Sequence, residues 1–166
     1  MSRFHNNNDA IAAVFADAKT VQQVAALPFV VIDGRVELLL ITSRRRKRWV
    51  VPKGWPGRDD SLAEAAAREA EEEAGVVGPV RADPLGDYAY DKQMSTGYPV
   101  RCHVFVYPLL VLEHRVDWRE RGARKLRWTA PGEAARLVDD RLLGQLIATL
   151  ADDASAALHD FMREAA

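Results

Sequence analysis

Between residues 68 and 75 the chain reads REAEEEAG, an arginine followed by Glu69, Glu71, Glu72 and Glu73 and closed by a glycine. If this stretch is helical, each residue turns about 100°; with Glu69 at zero, Glu72 lies at about 300° and Glu73 at about 40°. Those three carboxylates then share one face. Glu71 falls at about 200°, on the opposite side, and is expected to face water. Carboxylates three and four residues apart repel by roughly 0.2–0.5 kcal/mol per pair. A divalent cation turns that repulsion into a binding site, because hard ions such as Mg²⁺ take oxygen ligands. A bare run of glutamates signals only a solvated face. What surrounds this run decides between the two.

The surroundings specify a well-bounded helix. Ser61 and Glu64 in SLAE have the spacing of a capping box, and Gly75 stands where a left-handed residue ends a helix. Ala63, Ala67, Ala70 and Ala74 fall together between about 100° and 160°, a stripe small enough to approach a sheet closely. Upstream, VAALPFVVI (24–32) and RVELLLITS (35–43) read as strands joined by Asp33-Gly34 as a hairpin. RWVVPKG (48–54) reads as a short strand and WPGRDD as the loop into the helix. Downstream, LGDYAYDK, VRCHVFVYPLLVLE and KLRWTA read as strands, with GEAARLV and DRLLGQLIATLADDASAALHDFM as closing helices. The plan is α+β. Residues 1–20 are expected to form a lead-in with a short helix through AIAAVFADA, and residues 21–166 a single domain with the C-terminal helix.

Composition excludes several classes. A net charge of -1 leaves any attraction for polyanions to local patches, so nucleic acid is not an expected partner. Cys102 is the only cysteine, which rules out an internal disulfide and a cysteine-based zinc site, and a reducing cytoplasm is the expected location. No run approaches the roughly 18 apolar residues of a membrane span. The N-terminus has no apolar secretion signal.

GWPGRDDSLAEAAAREAEEEAGV, residues 54 to 76, resembles the signature of the Nudix hydrolases: glycine, five residues, glutamate, seven residues, then Arg-Glu-apolar-x-Glu-Glu-x-Gly-apolar. Gly54 opens it, and Arg68 through Val76 complete it in register. Asp60 stands where the family has its first glutamate, with Arg68 as its expected partner. The resemblance implies the Nudix α/β/α sandwich, a mixed sheet between helices, and hydrolysis of a diphosphate by water attack at phosphorus with Mg²⁺ (or Mn²⁺). Carried over, Glu69 and Glu73 are the principal metal ligands, and Glu72 is a third ligand or the base that activates water. The backbone carbonyl of Lys53 or Gly54 is a further ligand, and Arg68 orients its neighbours.

The run SRRRKRW (43–49) puts five cations in a row before the strand that enters this loop, either a basic surface turn or an electropositive mouth for a polyanion. With DWRERGARKLRW (117–128), it resembles the branch that hydrolyses diphosphoinositol polyphosphates and diadenosine polyphosphates. That likeness implies a polyphosphorylated small molecule as substrate and places Ser43, Arg44 and Lys125 on its phosphates. Arg46, Arg48, Lys53 and Arg101 are further candidates. Trp55 either stacks on a base or packs over the helix. Tyr88, Tyr90 and His103 fit an alternating strand and are read as structural. An ADP-ribose or housecleaning nucleotide diphosphatase and a non-catalytic binding module remain alternatives. The C-terminal helix is expected to pack on the domain and is available for a homodimer.

Overall fold

The computed structural model describes residues 20–151 and 155–166. The expected helix in AIAAVFADA lies outside them. Strand β1 (Val21–Ile32) turns at Asp33 and Gly34 into β2 (Arg35–Thr42), and both turn residues have positive φ, 51° and 75°. Two left-handed residues in a row give the type I′ geometry that matches strand twist, which is why Asp-Gly serves here. β3 (Trp49–Val50) and β4 (Lys53–Gly54) are separated at Val51-Pro52, so the single strand expected over 48–54 is two short ones. Helix α1 (Leu62–Ala74) follows, then β5 (Val76–Val77), β6 (Gly86–Gln93), β7 (Pro99–Leu110), β8 (Glu113–His114) and β9 (Leu126–Thr129). Helices α2 (Pro131–Leu137), α3 (Arg141–Thr149) and α4 (Ser155–Ala165) close the chain, two of them falling in the stretch expected as one long helix.

The main sheet runs β3-β2-β1-β7-β6, with β4 also paired to β1 and β9 to β2. β1 and β7 are parallel and the other pairings antiparallel, so the sheet is mixed, as expected. Side-chain alternation along its strands builds two cores. Ala25, Leu27, Phe29, Leu38 and Leu40 pack with Ala134, Leu143, Ile147, Leu158 and Phe161 of α2, α3 and α4. Val24, Ala26, Leu39 and Ile41 pack with Ala63, Ala66, Ala70 and Ala74 of α1. The result is helix, sheet, helix in three layers. Phe161 tilts against Phe29 with ring centroids 6.1 Å apart, which fixes α4 on the sheet. Among the described residues no helix is long and apolar enough to cross a membrane.

Candidate functional site

The capping box forms as read. The Ser61 hydroxyl accepts from the Glu64 amide at 3.1 Å, and the Glu64 carboxylate accepts from the Ser61 amide at 2.8 Å. Gly75 ends α1 with φ 69°, and its amide donates to the carbonyls of Ala70 and Glu71. Because alanines face the sheet, α1 lies close enough for its carboxylates to reach the loop after β3. The Lys53 amide donates to Glu73 Oε2 at 3.3 Å. The Glu69 carboxylate lies against the Gly54 backbone, where any β-carbon would overlap it. That contact explains the glycine at the head of the motif.

Glu73 is 9% exposed, and burial pushes its carboxyl up to about 7. Arg124 opposes that rise, while Glu120 and Glu69 add to it. Burial also raises Glu69, and repulsion from Glu72 raises it further. Two adjacent carboxyls held above their ordinary range mark a place short of positive charge. Among the described residues no three acidic, histidine or cysteine side chains form a ready-made metal cage. The glutamates instead meet arginines in register: Glu71 pairs with Arg115 at 3.1 Å, Glu72 with Arg119 at 3.3 Å, and Glu73 with Arg124 at 3.2 Å. Glu71 is therefore ion-paired at a half-exposed position rather than simply hydrated. The all-oxygen donor set of Glu69, Glu72 and Glu73 fits a hard divalent cation.

The arginines come from residues 115–124, which lie across the end of α1. The Arg115 amide donates to the Gly75 carbonyl at 2.8 Å and the Glu120 amide to the Glu72 carbonyl at 3.1 Å. The Trp118 ring covers Gly75, so a side chain at that glycine would collide with it. Arg124 is the centre of this arrangement. It donates to the Thr42 carbonyl at 3.1 Å and Glu120 at 3.4 Å as well as to Glu73. Sequence reasoning missed Arg119, Glu120 and Arg124. The one available signal was the basic stretch 117–128, which pointed to Lys125 instead. Arg124 lies in the bend before β9, with its side chain turned in to Glu73 and Thr42. Lys125 is exposed, its amide bonded to Thr42 Oγ1 at 2.9 Å.

Arg68 forms an ion pair with Asp60, as expected, and donates to the Trp55 carbonyl at 3.5 Å. The shorter aspartate reaches because a glycine, Gly57, leaves room: a β-carbon there would lie 2.9 Å from Asp60 Oδ2. Arg68 thereby ties the loop to α1.

The basic run does not form one mouth. Lys47 takes φ 55°, and the turn disperses its neighbours. Arg44 is the member brought to the site, 3.5 Å from Glu120. Lys47 donates to the Ala123 carbonyl at 3.3 Å, and Arg48 pairs with Asp139 at 2.8 Å beside the opposite helical layer. Arg46 is exposed. The Ser43 hydroxyl closes the turn by accepting from the Arg48 amide at 3.0 Å. Arg101 is engaged across the β6–β7 pair with Asp91 at 3.3 Å. The Lys53 ammonium lies over the Tyr90 ring, 5.1 Å from its centroid, and burial lowers its pKa. Tyr88 is buried, and the Tyr90 hydroxyl donates to Gln23 at 2.7 Å. His103 contacts Asp87 at 2.5 Å.

Comparison with known proteins agrees with this geometry. The NUDIX domain model matches residues 21–150. Nudix hydrolase 12, mitochondrial, of Arabidopsis thaliana is 39% identical over 107 residues, 63% of this chain and 53% of that protein. Diphosphoinositol polyphosphate phosphohydrolase 3-beta of Bos taurus is 31% identical over 103 residues, 61% of this chain and 58% of that one. The chain spans about half the length of the curated relatives it matches. A C. elegans Ap4A hydrolase, solved as a binary complex, shares the fold with a TM-score of 0.61 at 21% identity, over 84% of this chain and 98% of that one. The motif, the three-layer sandwich and the match over residues 21–150 together make this chain a member of the Nudix family.

Proposed function

We propose that this protein is a divalent-metal-dependent pyrophosphohydrolase that cleaves a phosphoanhydride bond in a diphosphoinositol polyphosphate or a diadenosine polyphosphate. One observation carries the reading: Glu69, Glu72 and Glu73 share one face of a capped helix, with Glu73 accepting from the Lys53 amide and Glu69 lying against the Gly54 backbone. Bound Mg²⁺ or Mn²⁺ supplies neutralisation of phosphoryl oxygens and a more acidic water. Glu69 and Glu73 would hold it, with the backbone carbonyl of Lys53 or Gly54 as a further ligand. Glu72, less buried than Glu73, holds the ion as a third ligand or accepts the proton of the attacking water. Arg68 fixes the loop through Asp60 and the Trp55 carbonyl and is a positioning residue.

Arg44, exposed beside Glu120, supplies charge for a chain of phosphates. The two substrate classes are those named by the bovine relative and the nematode fold neighbour. The test is product release with Mg²⁺ and with EDTA from a diphosphoinositol phosphate, diadenosine tetra- to hexaphosphates, ADP-ribose and nucleoside triphosphates. Turnover of the first two, abolished by EDTA and by Glu73→Gln, supports the reading. Turnover confined to ADP-ribose or triphosphates would move the substrate to another nucleotide class. No turnover with any metal would favour a binding module.

A further inference from the structure

Trp55 has no structural task that accounts for it. It belongs to neither hydrophobic core, and 44% of it is exposed. A large aromatic side chain left open to water on a short loop gains little for folding. Its backbone, however, is held firmly. The Trp55 carbonyl accepts from Arg68, which is ion-paired with Asp60, and the preceding Gly54 lies against the Glu69 carboxylate. Consecutive Cα atoms are about 3.8 Å apart, so an open indole is anchored one residue from the carboxylate cluster.

A cation accompanies it. The Lys92 ammonium on β6 lies over the indole, 5.0 Å from the ring centroid. Two residues earlier on the same face of that strand, Tyr90 has the Lys53 ammonium above it at 5.1 Å. Aromatic faces and ammonium groups therefore alternate along the edge of the site. A polyphosphorylated inositol offers phosphates but no π-face, so cations alone would serve it. A nucleotide offers both, and an aromatic plane beside a basic group is how proteins hold an unpaired base next to its phosphate.

Resting on the pyrophosphohydrolase reading, we propose that Trp55 and Lys92 form a specificity subsite for the nucleoside end of a dinucleoside polyphosphate. The base stacks on the exposed indole, and Lys92 meets the phosphate next to it. This favours the nucleotide member of the two substrate classes.

Calorimetric titration with a non-hydrolysable, methylene-bridged diadenosine tetraphosphate in Mg²⁺ tests this without turnover. Inorganic tripolyphosphate serves as the base-free comparison. Trp55→Ala is expected to weaken the dinucleotide analogue about ten- to a hundred-fold, with Trp55→Phe recovering most of the loss. Tripolyphosphate binding should shift less than twofold. Indole fluorescence should be quenched by the analogue in the wild type and not in Trp55→Phe. Unchanged analogue binding in Trp55→Ala would overturn the inference, as would an equal loss for both ligands, which would mean that Trp55 only shapes the loop. A wild type that turns over diphosphoinositol phosphates yet binds no analogue would sink this inference and leave the hydrolase standing. Base-dependent binding without turnover would do the reverse.

Discussion

Replacing Arg124 with methionine should destabilise the metal-free protein by an amount that depends on pH. The Arg124 side chain is 10% exposed and the Glu73 side chain 11%, with 3.2 Å between them. Removing one partner of a buried pair leaves an uncompensated charge, at a cost of about 3–5 kcal/mol. That cost requires Glu73 to be ionised, and its carboxyl titrates at about 7 with Arg124 present. Without the arginine it titrates higher still. The variant therefore escapes the uncompensated charge by keeping the proton, which costs about 1.4 kcal/mol for each pH unit above 7 and so about 1.4 kcal/mol at pH 8, whereas at pH 5.5 Glu73 is already neutral in both proteins. What remains at pH 5.5 is the loss of the bonds to the Thr42 carbonyl and Glu120, about 1–2 kcal/mol. For a domain of this size about 1 kcal/mol moves Tm by 2–4 °C, so the drop should be about 5–14 °C at pH 8 and about 2–8 °C at pH 5.5. Thermal denaturation in EDTA, followed by circular dichroism at both pH values, reads it directly. Adding Glu73→Gln should abolish the difference between the two pH values. Equal losses at the two pH values would refute the reasoning, since they would show that Arg124 acts by packing and not by neutralising Glu73.

Other outcomes follow from the same geometry. Because the Glu73 carboxyl is raised from 4.5 to about 7, the native state binds that proton more tightly than the unfolded chain. Metal-free stability should fall by about 3 kcal/mol as pH rises from 4.5 to 7, a slope that Glu73→Gln should remove in pH-dependent urea unfolding. Gly54→Ala forces a β-carbon into the Glu69 carboxylate, so metal affinity should drop at least tenfold by titration calorimetry while the circular dichroism spectrum is retained. Ser61→Ala removes one half of the capping box and should cost about 1 kcal/mol in chemical denaturation, with metal affinity little changed.

Features set by local chemistry were legible before any coordinates. Ser61 with Glu64, the alanines of α1 and Gly75 act within one helix, and Asp33-Gly34 acts within one turn, so a short window contains the whole cause. The Asp60–Arg68 pair was likewise readable, because loop and helix are contiguous. The arginines opposite Glu71, Glu72 and Glu73 were not. They come from residues 115–124, and their register with the glutamates is fixed by the backbone bonds of Arg115 and Glu120 to α1, which no sequence pattern announces. Of the two readings open for the cations of 43–49, a basic surface turn and one electropositive mouth, the structure matches the turn, because adjacency in sequence is not adjacency in space. The left-handed Lys47 and the Arg48–Asp139 pair split them.

The proposed hydrolysis requires that three of the four glutamates hold a metal and that the fourth does not. Its most direct test is titration of Mn²⁺ into the wild type and the single variants Glu69→Gln, Glu71→Gln, Glu72→Gln and Glu73→Gln, read by electron paramagnetic resonance of the free ion. Affinity should weaken tenfold or more in the variants at 69, 72 and 73 and stay at the wild-type value in Glu71→Gln, whose carboxylate lies on the opposite side of α1, paired with Arg115. Affinity lost equally at all four positions, or at none, would contradict it.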